Sequence, residues 1–239
     1  GMQIFRAEGF DTMGKILPRA TTIASQVSYI YVGITLACAL SYMFFGMNAF
    51  DASVHSMTTV ATGGFANYDA SFGAFPGATE YVASLFMVLA ALPFVRYVQL
   101  LNGNTFAVWR DAQVRGFLMT IAVLVLLCAA VLAFGHDRAF EPAFRRALFN
   151  IISIVSGTGY ASADYMLWGS FLIALFFFAG LIGGCAGSTA CSIKIFRYQL
   201  LFASIRTQMR RIHSPNGIFT PRYEGRPVSE DVLSSVMSF

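Results

Sequence analysis

The residues able to do chemistry in this 239-residue chain are backbone oxygens held open by glycine, rather than acids, bases or nucleophiles. The stretch TTVATGGFANYD (Thr58 to Asp69) has no charge until its last residue and carries an adjacent glycine pair. SIVSGTGYASAD (Ser153 to Asp164) nearly repeats it 95 residues later. At that offset Val60 pairs with Val155, Gly64 with Gly159, Ala66 with Ala161 and Asp69 with Asp164, while Thr58 is set against Ser153 and Phe65 against Tyr160. A lone glycine pair is most often an ordinary loop; two copies at equivalent points mark an internal repeat. Glycine readily adopts φ > 0, so Gly64 and Gly159 let successive carbonyls point the same way. The extended residues Ala61, Thr62, Gly63 and Gly64, with Ser156, Gly157, Thr158 and Gly159, would then offer carbonyl oxygens in place of a cation's hydration water.

Such loops need a scaffold that keeps them away from bulk water, and the composition supplies one. Hydrophobic residues are 56% of the chain and charged residues 12%, with mean hydropathy +0.63, against about 25% charged in a soluble domain. Val27 to Phe50 and Gly116 to Gly135 contain no charge, and each is long enough to cross hydrocarbon as a helix. The chain therefore reads as an all-α membrane protein. The shorter segments FDASVHSMTTVA and EPAFRRALFNIISIVS, just before the two glycine turns, would enter the membrane and return. Non-helical backbone at that depth is tolerated where it is buried in protein or lines water. Each short helix would aim its C-terminal carbonyl end, which carries partial negative charge, at the turn, where a cation is stabilised.

The expected organisation is a cytoplasmic connection at 1–25, a helix–pore helix–filter loop–helix unit at 26–101, a cytoplasmic linker at 102–115, a second such unit at 116–211 with a broken last helix, and a cytoplasmic connection at 212–239. Spanning helices are expected over 26–46, over 80–101 with a bend at Pro93, and over 116–135. An apolar run from Trp168 to Ile182 breaks at GGCAGSTACS (Gly183 to Ser192) and resumes as IKIFRYQLLFASIRTQMRR. Segments 1–25, 102–115 and 194–226 hold twelve (3, 2 and 7) of the sixteen Lys and Arg, and 47–79 holds none. By the positive-inside rule the three basic segments are cytoplasmic and both glycine turns face outward. Arg138, Arg145 and Arg146 fall on the outer side, against the local trend.

The net charge of +4 follows this bias at the ends of the apolar runs and gives no reason to expect nucleic acid as a partner. Cys38, Cys128, Cys185 and Cys191 lie in apolar or glycine-rich stretches without CxxC spacing and read as small buried hydrophobes. GGCAGST lacks the GK[ST] ending of a phosphate loop. A membrane enzyme would need a nucleophile with a base or a metal cluster, and the three histidines have no metal-pair spacing.

HSMTTVATGGFANYDASFG and FNIISIVSGTGYASADYMLWG closely resemble the second and third pore loops of the TrkH branch of the Trk/Ktr/HKT potassium transporters. The resemblance continues through FFFAGLIGGCAGSTACSIKIFR and HSPNGIFTPRYEGRPVSEDVL, and so spans essentially the whole chain. It implies a potassium-channel-like fold in which four helix–pore helix–filter loop–helix units surround one pore, with 26–101 and 116–211 as the second and third. It places the filter glycines on Gly64 and Gly159 and the potassium ion beside them, as substrate and with no cofactor. It further implies uptake across a bacterial inner membrane, a homodimer, and a cytoplasmic nucleotide-binding regulatory ring, TrkA. Two units of four lead us to expect a fragment, with a split transporter or a non-conducting remnant as alternatives. The family's break in the third unit commonly reads GGCAGSTGGGIK and forms a gating loop under the filter, here Gly183, Gly184, Gly187, Ser188 and Thr189. Ala190, Cys191 and Ser192 stand where glycine is usual, and the expected consequence is a stiffer loop.

Other residues have plainer readings. Lys194 is expected to snorkel to the interface rather than approach the pore. Asp69 and Asp164 read equally as cation concentrators or as caps. His55 and Asn150, which pair at the same offset, are expected to steady the short helices by hydrogen bonding, while His136 and His213 suggest solvation alone. Trp109 and Trp168 fit interface anchors. The basic run IRTQMRRIH (Ile205 to His213) fits acidic headgroups or the regulatory ring, and the sequence selects no coupling ion.

Overall fold

The structure, a computed structural model, describes residues 20–135, 139–214, 217 and 219–228. The readings made for 1–19, for His136 and Arg138, and for 229–239 lie outside them.

The uncharged runs become the two long helices, α1 (Ala20–Phe44) and α6 (Ala112–Gly135). Both are long and apolar enough to cross a membrane, with a mean hydropathy over an 18-residue stretch of 1.6 within Thr22–Phe44 and 2.9 within Ala112–Gly135. Leu36 and Leu40 of α1 and Met119, Val123 and Leu126 of α6 are exposed, as expected of faces solvated by lipid. The short segments form α2 (Ala49–Val60) and α7 (Phe140–Ser156). Asn48 caps α2, its side-chain oxygen accepting the Asp51 N–H at 2.8 Å, which satisfies one of the donors a helix start leaves open. α2 packs on α1, and α7 packs on α6 and on α3 (Ala78–Ala90). Phe117, Phe149, Leu132, Ile151 and Leu172 are buried in the common core.

The expected bend at Pro93 is a break. α3 ends at Ala90, α4 (Phe94–Leu101) starts after Pro93, and their axes differ by 88°. Proline lacks the N–H that would continue the helix and biases the preceding residue away from helical backbone. α4 leads through the short α5 (Ala107–Arg110) to α6. The apolar run from Trp168 resolves into a 3₁₀ turn over Tyr165–Trp168, the 12-residue α8 (Ser170–Leu181), the irregular 182–194 and α9 (Ile195–His213). A two-residue antiparallel pair, β1 (Arg222–Tyr223) with β2 (Arg226–Pro227), follows. It is minor in an otherwise helical fold. Tyr223 and Val228 dock there on Phe196 and Leu200 of α9.

Three side chains depart from expectation. Trp168 is 3% exposed, packed against the rings of Tyr165 and Phe176; Trp109 is exposed. Cys191 is exposed, unlike the three other cysteines. Arg145, a basic residue on the expected outer side, is ion-paired with the buried Glu80 of α3 and with Glu141 at 2.9 Å. That pairing gives it a local structural role apart from topology.

Candidate functional site

The two glycine turns leave the C-termini of α2 and α7 in the same local geometry. Thr58 Oγ1 donates to the Phe65 carbonyl at 2.9 Å, and Ser153 Oγ donates to the Tyr160 carbonyl at 2.7 Å. The Gly64 N–H reaches the Thr58 carbonyl at 3.4 Å, and the Gly159 N–H reaches that of Ser153 at 3.2 Å. Left-handed backbone occurs at matching places, Thr62 (φ 52°) with Gly157 (φ 75°) and Gly64 (φ 68°) with Gly159 (φ 85°). His55 Nδ1 lies 2.8 Å from the Asp51 carbonyl, and Asn150 Nδ2 donates to the Arg146 carbonyl at 2.8 Å. Each side chain thus braces its helix at i−4, and Asn150 also holds the loop through Ser162.

The loops lie against one another. A Cβ on Gly64 would run into the Thr158 carbonyl, so only a bare backbone fits there. The Tyr160 side chain, 1% exposed, reaches back to α2. Its hydroxyl donates to Thr58 Oγ1 and lies 3.2 Å from the His55 carbonyl. Thr59 Oγ1, which meets Tyr42 OH at 2.8 Å, lies 3.4 Å away. The rings of His55, Phe72 and Phe149 surround Tyr160. Among the described residues, no hydrogen bond is made to the carbonyl oxygens of Thr62, Gly63, Gly64, Gly157, Thr158 or Gly159. Six acceptors at the negative ends of two helices make a setting for a cation.

The glycine-rich 183–192 segment packs directly on both turns. Thr62 Oγ1 donates to the Thr189 carbonyl at 2.7 Å, and Thr189 Oγ1 donates to the Val60 carbonyl at 3.0 Å and the Ala90 carbonyl at 3.1 Å. The Cys191 N–H reaches the Ser156 carbonyl at 3.3 Å. Gly183 is closely backed by the Cys191 carbonyl, and Gly184 by Ala91 and Ala190. Gly187 passes its carbonyl to the Phe94 N–H at 3.0 Å, and Ser188 Oγ donates to the Cys185 carbonyl at 2.6 Å. Lys194, expected to snorkel outward, instead folds back so that Nζ donates to the Ala190 carbonyl. Ser192 adopts φ 62°, where a non-glycine residue costs about 1–2 kcal/mol. Its hydroxyl donates to the Gly180 carbonyl at 2.8 Å.

Asp164 accepts the Met166 N–H at 3.0 Å as the cap of a 3₁₀ turn, whereas Asp69 is exposed. The acid that organises the N-terminal end of α2 and the chain returning past it is Asp51, which the sequence did not single out. It accepts from Asn67 and Tyr68 at 2.8 Å and from Asn48 at 2.7 Å. The hydrogen bonds from Asn67 and Tyr68 hold its carboxyl below the usual range. The Tyr160 hydroxyl and the Thr62–Thr189 link also went unread, because their partners lie 102 and 127 residues away in the chain.

Comparison with known proteins sets this geometry in context. A family model described as TrkH, cation transport protein, matches residues 6–239. The Trk system potassium uptake protein TrkI of Halomonas elongata is 40% identical over all of this chain and 49% of its own length. The TrkH protein of Salmonella typhimurium is 35% identical over all of this chain and 50% of its length. The crystal structure of the potassium transporter TrkH from Vibrio parahaemolyticus superposes with TM-score 0.88 at 31% identity, over 94% of this chain and 49% of that one. The chain thus spans about half the length of the relatives it matches.

Proposed function

The chain belongs to the TrkH family of cation transport proteins, and from that premise we propose that it conducts potassium ions across the bacterial inner membrane as part of a Trk-type uptake pore. The observation that carries this reading is the pair of touching loops with six carbonyls that no described residue engages, at the C-termini of α2 and α7. Ala61–Gly64 and Ser156–Gly159 supply part of the selectivity filter, with the ion beside Gly64 and Gly159. Dehydrated potassium exchanges water for these oxygens, and no covalent step or cofactor is involved. The 183–192 segment, bonded to both loops, is the gate: its movement would break the Thr62–Thr189 and Ser156–Cys191 hydrogen bonds. The rest of the ring comes from two further units, the assembly is a homodimer, and a TrkA-type nucleotide-binding subunit regulates it from the cytoplasm.

The test is to join this chain to the half of the Halomonas TrkI protein that it does not match and express the product in cells lacking their own potassium uptake. Growth at low potassium and rubidium uptake are expected, and Gly64→Ser or Gly159→Ser should admit sodium more readily relative to potassium. If both substitutions leave rate and selectivity unchanged, these glycines do not form the filter.

A further inference from the structure

α9 follows the 183–192 segment and presents two unlike surfaces side by side. Its Phe202, Ile205, Met209 and Ile212 are all exposed, and at 100° per residue they fall within one 80° stripe. Arg206 and Arg210 lie on the next part of the helix surface. With Phe202, Thr207, Phe219 and Arg222 they line a cavity of about 600 Å³ between α9 and the segment before β1. No ion pair or hydrogen bond engages the Arg206, Arg210 or Arg222 guanidinium among the described residues. Arg211, on the far side, donates to the Phe219 carbonyl at 2.9 Å and holds the cavity wall in place.

The start of α9 is placed by α6. Gln199 Nε2 of α9 donates to the Ala112 carbonyl at 2.8 Å, at the first residue of that apolar helix. α9 therefore meets the span at its polar end, where hydrocarbon gives way to headgroups. An apolar stripe flanked by arginines, starting from that level, is the pattern of a helix suited to the interface, with its stripe toward acyl chains. Three clustered guanidiniums beside that stripe match a phosphate bonded to acyl chains, because Arg engages phosphate through a planar fork of donors.

We infer that the Arg206–Arg210–Arg222 cavity seats the phosphate headgroup of an anionic phospholipid, with the acyl chains running along Phe202, Ile205, Met209 and Ile212. The inference does not depend on the ion pathway. A bound headgroup would link α9 to the chain beyond it, and so reach the gate segment through Lys194 and Ile195.

The whole chain, purified in neutral detergent, is titrated with phosphatidylglycerol or phosphatidylcholine in mixed micelles, and retained lipid is counted by native mass spectrometry. Phosphatidylglycerol should bind more tightly, and Arg206→Gln with Arg210→Gln should weaken it by about fivefold for each arginine, about 25-fold together. Phosphatidylcholine binding should not change. The Arg206→Lys, Arg210→Lys protein keeps the charge without the fork and should bind phosphatidylglycerol less tightly than wild type but more tightly than the Gln variant, which separates charge loss from misfolding. Equal binding of both lipids would overturn the inference, as would undiminished phosphatidylglycerol binding by the Gln variant. Displacement of the lipid by glycerol phosphate at matched concentration would also overturn it, because the site would then serve a free phosphate.

Discussion

The two glycine turns share a local scaffold and differ in what surrounds them. In both, a hydroxyl seven residues upstream holds a carbonyl, at Thr58–Phe65 and at Ser153–Tyr160, and left-handed backbone falls at matching places. Yet Phe65 is 75% exposed where its counterpart Tyr160 is buried and bonded to α2. Gly64 is pressed on Thr158, whereas a Cβ on Gly159 would meet open space. Local sequence sets the loop; the neighbouring unit decides which positions tolerate change. In the proposed ring, Phe65 would turn toward the preceding unit as Tyr160 turns toward α2.

The largest effect expected from this asymmetry is between the two glycines. Gly64→Ala combines backbone strain of about 1–2 kcal/mol with overpacking of about 1–3 kcal/mol, whereas Gly159→Ala carries the strain alone. Thermal unfolding of the two variants in detergent should separate them clearly, and equal shifts would break the comparison. Next is the tyrosine. Tyr160→Phe removes the hydroxyl that ties the second loop to α2 and should cost about 1 kcal/mol, while Phe65→Tyr at the exposed counterpart should stay within about 0.5 kcal/mol.

The smallest expected effect concerns Asp51, which has no acidic counterpart because the offset places Arg146 there. Its folded-state carboxyl titrates below the ordinary range. Its contribution to stability is therefore complete above the unfolded value of about 3.9 and is lost as pH falls through the folded value. Melting curves of wild type and Asp51→Asn should converge as pH is lowered below about 3.9. Curves that stay parallel would show that Asp51 contributes no pH-dependent stability.

Much of the scaffold was legible in the sequence because it is written locally. Uncharged runs gave α1 and α6, and the 95-residue repeat aligned His55 with Asn150 and Gly64 with Gly159. What escaped was set by partners far along the chain or by the three-dimensional path. A Pro93 bend could be read, but not an 88° turn. Trp168 looked like an interface anchor because aromatic type says nothing of the Phe176 ring that covers it. Lys194 resembled a snorkelling terminal lysine until the loop folded beneath α2 and brought the Ala190 carbonyl within reach.

The most direct measurement is anomalous diffraction, with rubidium replacing potassium, from crystals of this chain joined to the unmatched half of the Vibrio parahaemolyticus transporter. A cation peak within bonding distance of the loop carbonyls at Gly64 and Gly159 is the result predicted. A peak at the Asp51 carboxylate with none at these carbonyls would contradict the assignment of the two turns as an ion filter.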